Sequence, residues 1–203
     1  MQLDKGEKGF SFQAEGPLDM RMDPREELTA EEIVNTWPEE QLGEIFREFG
    51  EEPRWRKAAA VIVEARKEGA IETTKQLAEL LATSLGRGIK KKLHPATLIF
   101  QALRICVNRE LEAVSKALPK AIELLSLGGR IGVMSFHRLE DRIAKTLFKQ
   151  EATVPAQNKY KEYVEKPTLR LLSKKPLVAN GQEVKRNPRS RSAKLRFAEK
   201  VSS

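Results

Sequence analysis

Two carboxylates stand on either side of an arginine in the segment Asp19-Met20-Arg21-Met22-Asp23. Carboxylates in such a loop can accept hydrogen bonds from a reacting group while charge develops on it. The alternative is a structural turn, in which the carboxylates accept backbone N–H bonds and Arg21 pairs with one of them. The pattern leaves both interpretations open, and it makes Asp19 and Asp23 candidate catalytic residues.

A second group of polar residues follows a short apolar run. Residues 130–136, which come after a Gly-Gly turn, predict a buried parallel strand. Ser135 and His137 fall at its carboxyl end, the edge where open α/β sheets bind ligands. His137 is therefore a further catalytic candidate and Ser135 a candidate substrate contact. The alternative for His137 is a hydrogen bond to the following turn, where Glu140 would lie in the first turn of a helix.

Positive charge is concentrated in the last quarter of the sequence. Residues 154–203 contain 13 Lys and Arg against 4 Asp and Glu, whereas the whole chain has a net charge of +8. Basic segments of this kind favour contact with a polyanion, because Lys and Arg neutralise phosphates and release counterions. The alternative is a basic segment that only keeps the protein in solution.

Several function classes are excluded by composition. One cysteine cannot form an internal disulfide, and two histidines with one cysteine are too few for a convincing zinc site. No apolar run reaches the length of about 20 residues that a membrane helix needs. The polar first residues resemble neither a signal peptide nor a transit peptide. We therefore expect a cytoplasmic protein that carries no metal.

Capping signals and apolar spacing predict a mainly helical first half and a mixed second half. Thr29 with Glu32 resembles a capping box, and Thr73-Thr74 is another start signal. The predicted helices are 30–36, 39–49, 53–68, one that opens after the Thr73-Thr74 signal and runs to about Ser84, one from His94 through Leu111, one near 113–126 and one from 139 to about 150. Two closing strands are predicted at 168–172 and 193–198.

The order of several motifs resembles one protein family. Gly9-Phe10-Ser11-Phe12 and then residues 16–23 (GPLDMRMD) carry the first match. His94-Pro95-Ala96-Thr97, Ser135-Phe136-His137 and residues 187–196 (NPRSRSAKLR) follow in the same order. The sequence is thereby identified as a member of the MraW/RsmH family, S-adenosylmethionine-dependent cytosine-N4 methyltransferases of 16S ribosomal RNA, and the resemblance covers essentially the whole chain.

The resemblance implies a methyl donor but supplies little of its pocket. In that family S-adenosylmethionine is bound mainly by a Gly-Gly-His loop, an acidic residue and an Asp-Leu-Gly turn, and this sequence contains none of them. Gln2 matches a glutamine that similar enzymes place against the donor, so it is the one candidate cofactor-binding residue. We expect an N-terminally truncated form of such an enzyme that is inactive alone.

The resemblance also implies contact with the small ribosomal subunit. The target base must leave its stack to reach a donor pocket. Candidate RNA-binding residues are Arg21, Ser135, Lys90, Lys91, Arg189, Arg191, Lys194 and Arg196. Successive residues of a strand point to opposite faces, so we expect about half of the residues from Arg189 to Arg196 in this set to face the substrate.

The predicted fold is α/β, the C-terminal part of a Rossmann-like methyltransferase fold with a helical insertion subdomain. We divide it into a substrate- and cofactor-side loop (1–24), the helical insertion (25–108) and the Rossmann-like part with its basic segment (109–203). A mostly helical protein with a small mixed sheet is the structural alternative. The functional alternatives are a non-catalytic rRNA-binding module derived from such an enzyme and a helical protein-interaction domain.

Overall fold

The computed structural model describes residues 6–86, 94–153 and 166–202. Within them the chain forms two compact units, Met1–Glu110 and Leu111–Ser203. In the ranges that the model describes, no helix is both long enough and apolar enough to cross a membrane.

The first unit is helical and begins with an irregular segment that contains a 3-10 turn at Gly6–Lys8. Its helices are α1 (Ala30–Thr36), α2 (Glu39–Glu48), α3 (Trp55–Ala65), α4 (Thr74–Leu85) and α5 (Thr97–Asn108). The apolar residues Leu42, Ile45 and Phe46 share one face of α2, and this face is buried. These side chains join one hydrophobic core with residues from the other four helices and from the irregular segment, including Leu18 and Met20.

Two of these helices begin where the sequence predicts. The Thr29 side chain accepts a hydrogen bond from Glu32 N at 3.1 Å and caps α1. Thr73 caps α4 in a full capping box, since Gln76 Oε1 in turn accepts from Thr73 N at 2.9 Å. Each cap satisfies backbone N–H groups that have no partner inside the helix.

The helix predicted to run from His94 through Leu111 is interrupted. Arg109 adopts a left-handed conformation (φ 49°), so α5 ends at Asn108 and α6 (Glu110–Glu123) begins immediately after it. The apolar spacing continues across this break, which is why periodicity alone did not reveal it.

The second unit combines helices with a small antiparallel sheet. Its elements after α6 are β1 (Arg130–Ser135), α7 (Arg138–Glu151), β2 (Leu169–Leu171), β3 (Leu177–Val178), α8 (Gly181–Arg186), a 3-10 turn (Pro188–Ser192) and β4 (Lys194–Lys200). β4 is the central strand: β1 and β2 pair with its two sides, and β3 also pairs with it. A second core, built around Phe148, Leu169 and Ala198, lies on one face of this sheet.

The prediction that residues 130–136 form a buried parallel strand is wrong for the described part of the chain. β1 pairs with β4 in antiparallel register, Ile131 opposite Ala198 and Val133 opposite Arg196. Only alternate side chains turn inward, and Met134 on the other face is 56% exposed. An apolar run predicts a strand but does not fix the direction of the neighbouring strand, because strand propensity reflects side-chain packing and burial.

Candidate functional site

The loop around Asp19 is organised by its own arginines. Asp19 accepts three hydrogen bonds from Arg21: from the backbone N at 2.9 Å, from Nε at 2.8 Å and from Nη2 at 2.9 Å. Arg21 also donates from Nη1 to the carbonyl of Glu26 at 2.7 Å. This bonding holds the pKa of the Asp19 carboxyl below its usual range, although partial burial acts in the opposite direction. Asp19 is therefore an ionised acceptor, and the alternative foreseen for Arg21, a pair with one of the carboxylates, is present.

Asp23 repeats the arrangement with a residue that the sequence did not single out. Its carboxylate accepts from Arg25 N at 3.0 Å, from Nε at 3.0 Å and from Nη2 at 2.6 Å. These bonds lower the pKa of Asp23. The Arg25 side chain is 89% exposed, so this second pair lies at the surface. The spacing Asp-x-Arg was the available signal, and it occurs twice in residues 19–25.

Asn108 fixes the backbone between the two pairs. Its Oδ1 accepts from Met22 N at 2.7 Å, and its Nδ2 donates to the carbonyl of Met20 at 2.8 Å. Met20 itself is fully buried and has a positive φ of 63°. The loop is thus pinned to the end of α5, and the amide of Asn108 is engaged inside the first unit.

His137 and Ser135 lie together at the end of β1, as predicted, but each has a structural partner. His137 is the N-cap of α7: its Nδ1 accepts from Glu140 N at 3.4 Å, and Glu140 Oε2 accepts from Phe136 N at 2.9 Å. The other ring nitrogen, Nε2, is buried and lies 3.2 Å from Glu140 Oε1. Ser135 is buried and donates to the carbonyl of Lys194 at 3.4 Å.

Two of the candidate RNA contacts in β4 face α7. Arg196 binds Asp141 through Nε at 2.7 Å and Nη2 at 3.2 Å, and Lys194 Nζ lies 3.1 Å from the same carboxylate. Burial acts to raise the pKa of Asp141, but the bonds from Arg196 and Lys194 outweigh it and leave the pKa below its usual range. Lys194 and Arg196 are two residues apart in the strand, so both side chains fall on the inner face.

Exposed cations collect instead just before β4. Lys185 and Arg186 end α8, and Arg189 and Arg191 lie in the 3-10 turn that follows; all four are exposed. We call these four residues the basic corner. Its backbone is fixed by two asparagines: Asn180 caps α8, and Asn187 Oδ1 accepts from Arg189 N at 3.2 Å. Lys185 and Arg186 were absent from the candidates drawn from the sequence, although the local charge density was a usable signal.

Gln2, Lys90 and Lys91 lie outside the described residues.

The mixed helix-and-strand architecture with its small antiparallel sheet is consistent with an α/β methyltransferase fold. A family model described as the MraW methylase family matches residues 1–201. The chain belongs to the MraW methylase family.

Curated relatives agree with this assignment. The ribosomal RNA small subunit methyltransferase H of Protochlamydia amoebophila is 50% identical over 206 residues, and that of Thermomicrobium roseum is 49% identical over 203 residues. A protein of the same description from Geotalea daltonii is 50% identical over 205 residues. Each match covers 98% of this chain, which spans 62–65% of the length of these relatives.

Proposed function

We propose that this chain provides the RNA-contacting and base-positioning part of a cytoplasmic enzyme that methylates a cytosine N4 of 16S rRNA in the small ribosomal subunit, with S-adenosylmethionine as the donor. The observation that carries the proposal is the basic corner in a member of this family. Four exposed cations on a capped backbone suit the phosphates of structured RNA, because such contacts need charge more than sequence-specific geometry.

The chemistry of the substrate gives Asp19 a role in the proposal. The N4 lone pair of cytosine is delocalised into the ring, so the amine is a weak nucleophile. An ionised carboxylate that accepts a hydrogen bond from the amine would stabilise the charge that builds on it. Each oxygen of Asp19 already bonds Arg21, yet a carboxylate has about four acceptor sites. Its lowered pKa suits it to accept a hydrogen bond rather than to keep the proton.

Holding the base in line for the transfer is the other task. Asn108 and the two Asp–Arg pairs fix the loop before substrate arrives, and such preorganisation can lower a barrier by several kcal/mol. The donor supplies the methyl group to the amine. Gln2, the residue that the family resemblance assigns to the donor, lies outside the described residues.

The first experiment measures binding of the chain to 16S rRNA over a range of salt concentrations. The logarithm of the binding constant should fall linearly with the logarithm of salt concentration, and each phosphate contact should contribute a slope of about 0.7–0.9. Replacing all four residues of the basic corner with glutamine should remove a corresponding part of that slope. A binding constant that changes neither with salt concentration nor with these substitutions would refute the RNA-contact role.

The second experiment tests the reaction. The purified chain should give no N4-methylcytosine when it is mixed with unmethylated small subunits and S-adenosylmethionine. A chimera should give this product if it joins the chain to the part of the Protochlamydia relative that the chain does not match. A folded, donor-binding chimera that methylates no cytosine N4 would overturn the proposed reaction.

A non-catalytic rRNA-binding module is the second candidate. It is favoured by the fact that each unit has its own buried core and that the basic corner lies wholly within one unit. This candidate predicts the same salt-sensitive binding to rRNA. It also predicts that the chimera folds but transfers no methyl group.

A further inference from the structure

Three aromatic rings lead from the core of the first unit to its surface. Phe100 of α5 is buried, and Phe12 meets it edge-on with ring centroids 5.0 Å apart. The exposed His94 then stacks on Phe12, with centroids 4.6 Å apart and an interplanar angle of 28°. His94 Nδ1 accepts from Ala96 N at 3.2 Å, and this bond holds the ring in place.

The two outer rings border a cavity of about 350 Å³. Its remaining wall comes from α4 and from the segment after Phe12, and it carries the polar side chains of Gln13, Glu15, Lys75 and Glu79. This volume is at the lower end of the range for small-molecule sites, roughly 300–1,000 Å³.

The polar side chains of this wall have no protein partner in the part of the chain that the structure describes. Within residues 6–86, 94–153 and 166–202, no hydrogen bond or ion pair engages the side chains of Gln13, Glu15, Lys75 or Glu79. Two carboxylates, an amide and an ammonium group therefore surround an aromatic floor without satisfying one another. Carboxylates accept hydrogen bonds from exocyclic amines, and aromatic rings stack on bases.

We propose that this cavity binds one unstacked adenine or cytosine base through its exocyclic amine, with His94 and Phe12 as the stacking surface and Glu15 and Glu79 as acceptors for the amine. Lys75 then lies where it can contact a base carbonyl or a phosphate. Uracil presents carbonyl oxygens in place of the amine, and the carboxylates repel them. The inference rests on the proposed function only in taking RNA as the ligand.

The test uses the whole 203-residue chain and nuclear magnetic resonance of its imidazole groups. The chain has two histidines, and the signal missing from a His94→Asn variant belongs to His94. Titration with cytidine and adenosine monophosphates should shift the His94 ring signals to saturation. Uridine monophosphate should bind about tenfold more weakly, which is within the discrimination that a good side chain–base contact provides.

Two variants test the two halves of the site. Glu79→Gln should reduce the preference for cytidine over uridine, whereas Glu44→Gln, an exposed glutamate of α2 that does not border the cavity, should leave it unchanged. His94→Asn keeps an acceptor for Ala96 N but removes the ring. It should weaken the binding of labelled oligocytidylate about tenfold, as expected for loss of one stacking contact, while the thermal unfolding curve stays in place.

The proposal is overturned if no nucleotide moves the His94 signals, if uridine binds as well as cytidine, or if the two glutamate variants behave alike. Its failure is separate from failure of the proposed function. Loss of rRNA binding on substitution of the basic corner, with no base effect at His94, removes this inference alone. Base binding at His94 in a chain that does not bind rRNA removes the proposed function alone.

Discussion

Asp141 of α7 and Arg196 of β4 are joined by two hydrogen bonds, Oδ1 to Nε at 2.7 Å and Oδ2 to Nη2 at 3.2 Å. The side chains are 9% and 13% exposed, so the pair lies at the interface of the helix with the sheet. Lys194 adds a second cation to the same carboxylate. Two residues that a basic sequence pattern assigned to RNA thus also hold the second unit together.

Asp141→Asn should destabilise the chain by about 3 kcal/mol, because it removes the anion that pairs with Arg196 among the described residues at a largely buried position. Denaturant unfolding measures the change. Glu151→Gln, at the end of the same helix, is the control and should stay within about 0.5 kcal/mol of the wild type. Equal changes in unfolding free energy for the two substitutions would show that the Asp141–Arg196 pair does not stabilise the fold.

The same pair predicts a pH dependence. The pKa of Asp141 is lower in the folded protein than its ordinary value of 3.8, so its stabilising contribution is present above that value and is lost as pH falls through the folded pKa. The difference in unfolding free energy between wild type and Asp141→Asn should therefore be constant near neutral pH and shrink in acid. A difference that grows in acid would contradict the pairing.

Arg191 and Arg196 should separate RNA contact from stability. Arg191→Gln changes an exposed residue of the basic corner, so it should lower the salt slope of rRNA binding by about 0.7–0.9 and leave unfolding unchanged. Arg196→Gln should instead lower the unfolding free energy, because it breaks the bond to Asp141. Paired salt titrations and unfolding curves test both, and an Arg191 variant that loses stability without losing slope would argue against the basic corner as an RNA contact.

His137 can be tested with two substitutions that differ in capping ability. His137→Ala removes the N-cap of α7 and should cost about 1 kcal/mol, whereas His137→Asn supplies another capping oxygen and should recover most of that loss. If the imidazole is catalytic, as its position after β1 led us to expect from the sequence, the asparagine variant of the active chimera regains stability but not methyl transfer. Recovery of both would assign His137 to the cap alone.

Gly9 should tolerate no side chain. Its φ is +70°, and a Cβ there would lie 2.1 Å from the carbonyl oxygen of Pro17. Gly9→Ala should therefore destabilise the first unit by more than about 1 kcal/mol. Gly69→Ala is the matched control, since nothing lies within 4 Å of the Cβ position there. Unfolding curves that coincide for the two variants would show that the segment rearranges freely.

Local features of this protein were determined by the sequence itself. Thr29 and Thr73 start helices where their side chains can accept backbone N–H bonds, and the apolar spacing in α2 identifies the face that becomes buried. Such features depend on residues within one or two turns of each other, so the local sequence is enough to determine where a helix begins and which of its faces is buried. The motifs that mark the family are likewise contiguous.

Tertiary structure decided which of the candidate side chains are engaged in bonds within the fold. The sequence left open whether Asp19 does chemistry or builds a turn. In the fold Asp19 is bonded to Arg21, and Asn108 bonds the backbone of Met20 and Met22, which lie 88 and 86 positions before it. The sequence shows that Lys194 and Arg196 are charged, but not which face of the strand their side chains lie on. Only the packing of α7 on β4 brings Asp141 to them, because the face that a strand buries is set by its neighbours and not by its own residues.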